Sequence, residues 1–289
     1  MIPLTQAREN FVNKLKNKGR AEATIVAYGK DIEQLLDFAE RKDLKHAHEV
    51  NKKDIEDFLK YLSDNDYTKK TISRKINAIK TFFKHLLDEG HVENDPAQFI
   101  QHPKLEQNAP RILSKIEYRA LRDTVREDIR TRAIVETLLQ TGVRISELSS
   151  IKINHVKFSN ETHGTLEVPG SNSTPGRTIP LNKTVQEAIR EYMEDRPESE
   201  SSFLFITKTG NPLLIRNIRA TLARYFKQIG LDDVTVNDLR HTFVAEHLKR
   251  GASVLLVSKI AGHKRLTTTE NYLKYIERKE SGLGELEEL

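Results

Sequence analysis

Three short stretches of this sequence hold residue types suited to chemistry at a phosphate. The row KIAGHKRLTTTENYLKYI pairs an imidazole, His263, with a phenol, Tyr272. An apolar run from Val254 to Ala261 ends at Gly262, where a glycine in left-handed conformation stops a helix. His263 then stands in the turn, on a rigid stub. Thr267, Thr268 and Thr269 offer capping hydroxyls for a further short helix, with Tyr272 about one turn inside it. A phenol so held is a usable nucleophile when something stabilises the charge it develops. Alone it is more often a packing residue, so its company decides. TGVRISEL places Arg144, and NDLRHTF places Arg240, at or near helix starts. There the backbone N–H groups and the helix dipole already favour anions. Two guanidiniums on one phosphate bind its non-bridging oxygens through forked, charge-assisted hydrogen bonds. They also offset the charge that builds up in phosphoryl transfer. Each arginine taken singly reads as a surface residue.

In this order the three segments resemble the tyrosine recombinase (phage integrase) family, in its short Xer-like form, along nearly the whole chain. The resemblance implies a mostly α fold. A helical, SAM-like core-binding domain and an α-rich catalytic domain with a small antiparallel β-sheet would close around DNA. It implies that Tyr272 attacks a scissile phosphate, forming a 3′-phosphotyrosyl bond and releasing a 5′-hydroxyl that rejoins with a partner strand. One phosphoester replaces another, so no cofactor is implied: neither ATP nor a metal. Arg144 and Arg240 match the family's phosphate clamp, His263 its second histidine, and Glu147 an acid that supports the first arginine. Tyr275 competes with Tyr272 for the nucleophile's place, and the spacing from His263 favours Tyr272. Two positions depart from the pattern. Asn237 stands where the family's box has histidine, and an amide cannot accept a phenol's proton at neutral pH; the adjacent His241 is not expected to substitute. The hairpin lysine that protonates the leaving oxygen is missing, with Pro175 in its place. Arg177 nearby is too strong a base to donate a proton. An active, slow recombinase is the first expectation. A DNA-binding protein that keeps the fold and no longer cuts is the alternative.

The elements that must position these residues fit 289 residues, 37% apolar and 31% charged. That length suits two domains. There is no cysteine, which removes disulfides, thiolate catalysis and cysteine-bound zinc. The ten histidines form no HExxH-like pattern, so no metal site is expected. No apolar run spans a membrane and the N-terminus lacks a signal-peptide core. A cytoplasmic, nucleoid-associated protein without a distant-site N-terminal module is therefore expected. The net charge of +5 is mild, but its distribution is uneven. Thr68 to Leu87 carries six lysines and arginines and no acid, whereas Glu277 to Leu289 carries five glutamates.

Residues 1–100 read as helices: Thr5 to Lys18, Glu22 to Arg41, Lys53 to Ser63 and Lys69 to Leu87. In the fourth, Ile72, Ile76, Ile79, Phe83 and Leu86 form an apolar stripe. The opposite face bears Lys70, Arg74, Asn77, Thr81 and Lys84, donors suited to DNA phosphates. Residues 101–112, with two prolines and no period, read as a linker, and 113–289 as the catalytic domain. Ser114 and Glu117 supply a capping box. Ile151 to Ile153, Gly164 to Val168 and Arg177 to Ile179 alternate like strands. Helices follow at Thr184 to Met193 and Ile215 to Gln228; the latter carries Arg216 and Arg219. These and Arg177 complete the expected DNA contacts. Leu283, Leu286 and Leu289 in the acidic tail are candidates for docking on a neighbouring protomer, which with the family's habit points to a homo-tetramer on a specific duplex site.

Overall fold

The structure is a computed structural model in which residues 2–106, 108–159, 164–170 and 174–276 are described. The tail leucines 283, 286 and 289 therefore lie outside the described residues, as does part of the turn between Gly170 and Gly176. Contacts divide the chain into two units, Met1–Gln107 and Asn108–Leu289, with the boundary inside the proline-bearing segment 101–112.

The first unit is built from α1 (Leu4–Asn17), α2 (Glu22–Glu40), α3 (Lys52–Asp64) and α4 (Lys69–Asp88). Asn51 caps α3 by accepting from Lys53 and Asp54 amides, and Thr68 caps α4 through the Thr71 amide. The apolar stripe of α4 faces inward: Ile76, Ile79, Phe83 and Leu86 are at most 1% exposed. Phe82 meets Phe11 edge-on at 5.4 Å. Burial of each such side chain stabilises by about 1.5–3 kcal/mol. The polar face of α4 differs from a reading of α4 alone. Asp31 of α2 is buried beneath it and binds Lys75 at 2.8 Å, and Arg74 also pairs with Asp31. A buried carboxylate requires such partners, and a helical wheel shows only its own helix.

The second unit opens with α5 (Lys115–Thr124), α6 (Ile129–Thr141) and α7 (Ile145–Ser150). The Ser114–Glu117 capping box forms as expected. Strands β1 (Val156–Phe158), β2 (Gly164–Val168) and β3 (Arg177–Leu181) form an antiparallel sheet in that order. Ile151 to Ile153 is not a strand: Ile151 ends α7 and a 3₁₀ turn spans Ile153–His155. Its alternation reflects one buried isoleucine, and the real strand starts at Val156. In β3 the buried face carries Ile179 and Leu181, so the period of two puts Arg177 on that face as well. Next come α8 (Lys183–Asp195), α9 (Ile215–Gln228), α10 (Val236–Lys249), α11 (Val254–Ala261) and α12 (Thr267–Glu270). A 3₁₀ turn over Asn271–Lys274 follows and carries Tyr272.

Candidate active site

Four turns and helix ends converge on one centre. Gly142 ends α6 with φ +62°, and Arg144 follows as the N-cap of α7. Glu147, one turn into α7, accepts from the Arg144 amide at 2.7 Å and from its Nη1 at 3.1 Å. Arg144 Nη2 donates to the Gly262 carbonyl at 2.9 Å. Arg144 thereby ties the start of α7 to the turn that bears His263.

Arg177 completes that tie. Its Nη1 and Nη2 donate to Glu147 Oε1 and Oε2 at 2.9 and 2.8 Å, and its Nε donates to the Ile260 carbonyl at 2.7 Å. The side chain is only 8% exposed. Arg177 was expected among the DNA contacts; the structure makes it an internal brace, because its place on the buried face of β3 turns it toward Glu147. Burial works against the ionised carboxyl of Glu147, yet the Arg177 hydrogen bonds, the Arg144 amide and both charges hold it below the usual carboxylate range.

Arg240 reaches the same centre from α10. It is 5% exposed, and its Nη1 donates to the Gly142 carbonyl. Its Nη2 is buried with no hydrogen-bond partner. Burial, then the charge of Arg144, pulls this guanidinium down to about 10, which leaves it protonated at neutral pH. A buried, charged donor left unpaired costs stability. Together Arg144, Arg177 and Arg240 set three positive charges around Glu147, a surplus that an incoming anion would offset.

Gly262 ends α11 at φ +68°, and the His263 amide closes the turn on the Ser258 carbonyl at 3.0 Å. A Cβ at Gly262 would lie 2.7 Å from Arg177 Nη1, so glycine is required both by the backbone angle and by the close approach. The His263 Nδ1 pairs with Thr269 Oγ1 at 2.7 Å, leaving Nε2 without a partner among the described residues. Burial, then Arg240 and Arg144, push this imidazole down to about 4, so it is neutral at physiological pH. The threonines do not cap the last helix as expected. Leu266 occupies that place, and Thr269 orients His263 instead.

Tyr272 sits just past α12, 7% exposed, its ring stacked on His263 with centroids 6.4 Å apart. Burial raises its pKa and the charge of Arg240 opposes that rise. Its hydroxyl meets His241 Nδ1 at 2.5 Å, and the other ring nitrogen of His241 lies 2.9 Å from the Asn237 amide. Thus the structure brings Arg144, Glu147, Arg240, His263, Tyr272 and Asn237 into one neighbourhood. It adds His241, Arg177 and Thr269, which the sequence pattern had placed elsewhere or left without a role. The signal for His241 was its position four residues after Asn237, on the same helical face. Tyr275, the rival phenol, is 38% exposed.

The expected DNA-facing residues divide. Lys70, Asn77 and Lys84 on α4 and Arg216 and Arg219 on α9 are exposed, and neither α9 arginine has an ion-pair partner among the described residues. Arg74 is half-exposed but bound to Asp31. Thr81 is partly covered, and its hydroxyl donates back to the Asn77 carbonyl at 2.6 Å.

Known proteins resemble this chain along most of its length. Residues 106–278 match the phage integrase family, and residues 9–90 match the phage integrase N-terminal SAM-like domain. The tyrosine recombinase XerC of Roseiflexus sp. (strain RS-1) is 30% identical over 277 residues, 91% of this chain and 87% of that protein. XerC of Staphylococcus aureus (strain MRSA252) is 31% identical over 280 residues, 93% of this chain and 92% of that protein. Among solved structures, the XerH site-specific recombinase bound to a palindromic difH substrate superposes with a TM-score of 0.76 at 17% identity. That match covers 93% of this chain and 80% of the other. The Tn1549 transposon integrase in complex with a circular intermediate DNA gives 0.74 at 19% identity, covering 94% and 95%. With a catalytic-domain match over more than half its length and relatives of this similarity along most of it, the chain belongs to the phage integrase family, the tyrosine recombinases.

Proposed function

We propose that this protein is a site-specific DNA recombinase in which Tyr272 forms a 3′-phosphotyrosyl bond with one strand of a specific duplex site. Arg144 and Arg240 hold the non-bridging oxygens of the scissile phosphate, and His263 adds a hydrogen bond from Nε2. Glu147 keeps Arg144 in place. The observation that carries this reading is the buried Arg240 Nη2, charged and unpaired beside the Tyr272 phenol. A phosphate oxygen supplies the partner it lacks. The XerC relatives and the DNA-bound recombinase structures support duplex DNA as the substrate.

Lys70, Asn77 and Lys84 on α4 and Arg216 and Arg219 on α9 then contact the DNA backbone. Four protomers act together through exchange of the acidic tail, on DNA in the cytoplasm, at the nucleoid. The biological outcome is integration, excision or resolution of a mobile element, plasmid or chromosome dimer. A pure binder has no use for a buried nucleophile beside an unpaired guanidinium, so the cutting enzyme is favoured.

The test uses sheared DNA of the source genome, nicked at random. A nick close to the cleaved bond lets the short fragment diffuse away, so the ester accumulates. A covalent, protease-sensitive adduct is expected with the wild type and not with Tyr272→Phe. Sequencing the linked DNA then identifies the site. A wild type that binds duplex DNA but yields no adduct would leave the non-cutting alternative standing.

A further inference from the structure

We propose that His241 is the proton acceptor for the Tyr272 hydroxyl, and that Asn237 holds it in the tautomer this role requires. The inference deepens the recombinase reading above and rests on it. Its basis is an unbroken line of hydrogen-bonding atoms. Asn237 Nδ2 lies 2.9 Å from His241 Nε2, and His241 Nδ1 lies 2.5 Å from Tyr272 Oη. Asn237 and His241 are four apart on α10 and so share a face. The 3₁₀ turn over Asn271–Lys274 carries the phenol to the far side of the same imidazole.

The other candidates at the centre do not meet the hydroxyl. His263 stacks on the phenol ring with 14° between planes, and its Nδ1 is engaged by Thr269. Arg144, Arg177 and Arg240 are donors only. Among the described residues, His241 is the one hydrogen-bond partner of Tyr272 Oη.

The protonation state fits as well. Burial holds His241 below the usual histidine range; Asp238 opposes this and Arg240 reinforces it. Facing it from the C-terminal segment are His263 and Tyr272, neither of which brings a negative charge at neutral pH. The imidazole is therefore neutral before reaction. For the Nδ1 lone pair to face the phenol the imidazole hydrogen must sit on Nε2, so the Asn237 amide, placed with its nitrogen Nδ2 toward Nε2, turns over to accept it with its oxygen. An amide offers oxygen or nitrogen by a half-turn of the side chain.

The step balances as follows. The Tyr272 Oη–P bond forms while the P–O5′ bond breaks, and the phenolic proton passes to His241 Nδ1. The leaving 5′-oxygen takes a proton from water. On rejoining, an incoming 5′-hydroxyl attacks phosphorus and gives its proton to water. The Oη–P bond breaks, and Nδ1 returns its proton to the phenolate. The imidazolium formed between these events lies close to Arg240, and the bound phosphate supplies the negative charge that makes this tolerable. Proton transfer is thereby confined to the DNA-bound site. With the acceptor one turn further along α10, an amide at position 237 is sufficient.

The experiment measures single-turnover adduct formation from pH 5 to 9, on a nicked duplex carrying the sequence recovered from wild-type adducts, with duplex affinity measured in parallel. His241→Gln and His241→Ala are expected to lose about 100-fold in rate at unchanged affinity, with added imidazole restoring part of the His241→Ala loss. Asn237 is exposed, so its variants test the relay without disturbing the core. Asn237→Asp should move the acid limb of the rate profile up by about 1 pH unit, and Asn237→Leu should slow cleavage without weakening binding. His241→Gln with wild-type rate and profile, while Tyr272→Phe gives no adduct, would overturn the assignment and leave the recombinase reading intact. Asn237→Asp with an unmoved acid limb would overturn the role of Asn237. No adduct from the wild type on any DNA would sink both readings together.

Discussion

Arg177 grips Glu147 by two parallel hydrogen bonds, 2.9 and 2.8 Å long, and through it fixes Arg144, which Glu147 also holds. A strand residue thus sets the position of a helix-cap arginine it does not touch. Removing Arg177 leaves Glu147, 12% exposed, with one guanidinium where two stood. Arg177→Met is expected to lower unfolding stability by about 3 kcal/mol, read from urea denaturation. Arg177→Lys restores the charge without the fork and should fall between the two. A stability within error of wild type for Arg177→Met would refute the brace.

Gly262 is the point where that brace meets the His263 turn. Alanine there must adopt φ +68° and approach the Arg177 guanidinium, which its three hydrogen bonds prevent from moving aside. The backbone strain alone is about 1–2 kcal/mol. The expected outcome for Gly262→Ala is a lowered urea midpoint and a loss of adduct formation larger than the unfolded fraction explains, because His263 moves with the turn. Full cleavage by this variant would show that the turn tolerates the shift.

Arg240 should separate stability from activity. Its side chain is buried and its Nη2 unpaired, so in the free protein it is a charge held for a ligand. Replacing it with methionine removes one hydrogen bond to the Gly142 carbonyl but also an uncompensated buried cation. Arg240→Met is expected to unfold at the same or a higher urea concentration than wild type. Its adduct formation should fall by at least about 100-fold. A strongly destabilised variant would mean that the guanidinium serves the fold and not a phosphate.

On α4, Lys70 and Lys84 are exposed, whereas Arg74 leans on Asp31. Lys70→Gln and Lys84→Gln should each weaken duplex binding, and each should make log K less steep in log salt by about 1, the share of a single neutralised phosphate. Arg74→Gln should lower stability as well, since among the described residues buried Asp31 then keeps only Lys75 and, through it, Gln34. Unchanged salt slopes for both lysine variants would move the DNA to another face.

Elements governed by local signals were legible in the sequence. The apolar period of α4, the Asn51 and Ser114 caps and the glycine stop at Gly262 all depend on residues within a few positions of one another. So did the approach of Arg144 to Glu147, which is an N-cap with its third residue. What escaped depends on partners distant in sequence. Asp31 sits under α4 from another helix, and Arg177 meets Glu147 only because the β2–β3 register sets Arg177 opposite Val168 beside α11. His241 was visible as a histidine one turn from Asn237. Which nitrogen would face a phenol thirty-one positions away was decided by the 3₁₀ turn after α12. The face of Arg177 was in fact available: two-residue alternation with Ile179 and Leu181 already pointed it inward.

The low pKa of His263 gives DNA binding a definite pH dependence. In the free protein, burial and the charges of Arg240 and Arg144 hold the imidazole at about 4. A phosphate between those arginines offsets their charge, so the pKa rises in the complex. Between about 4 and that higher bound-state value the complex holds more protons than the free protein, and linkage requires binding to tighten as pH falls through this window. Folding runs the opposite way. The unfolded chain, with histidine near 6.5, binds the proton that the folded site refuses, so the free protein loses stability as pH drops from about 6.5 toward 4. His241 shares the direction of this shift through burial, so the measurement must isolate His263. Duplex affinity of Tyr272→Phe compared with Tyr272→Phe/His263→Gln from pH 5 to 8, at fixed ionic strength, does so. The first should gain affinity toward pH 5, and the second should lose most of that gain. Parallel pH profiles for the two proteins would place the proton uptake on another group and remove His263 from contact with the phosphate.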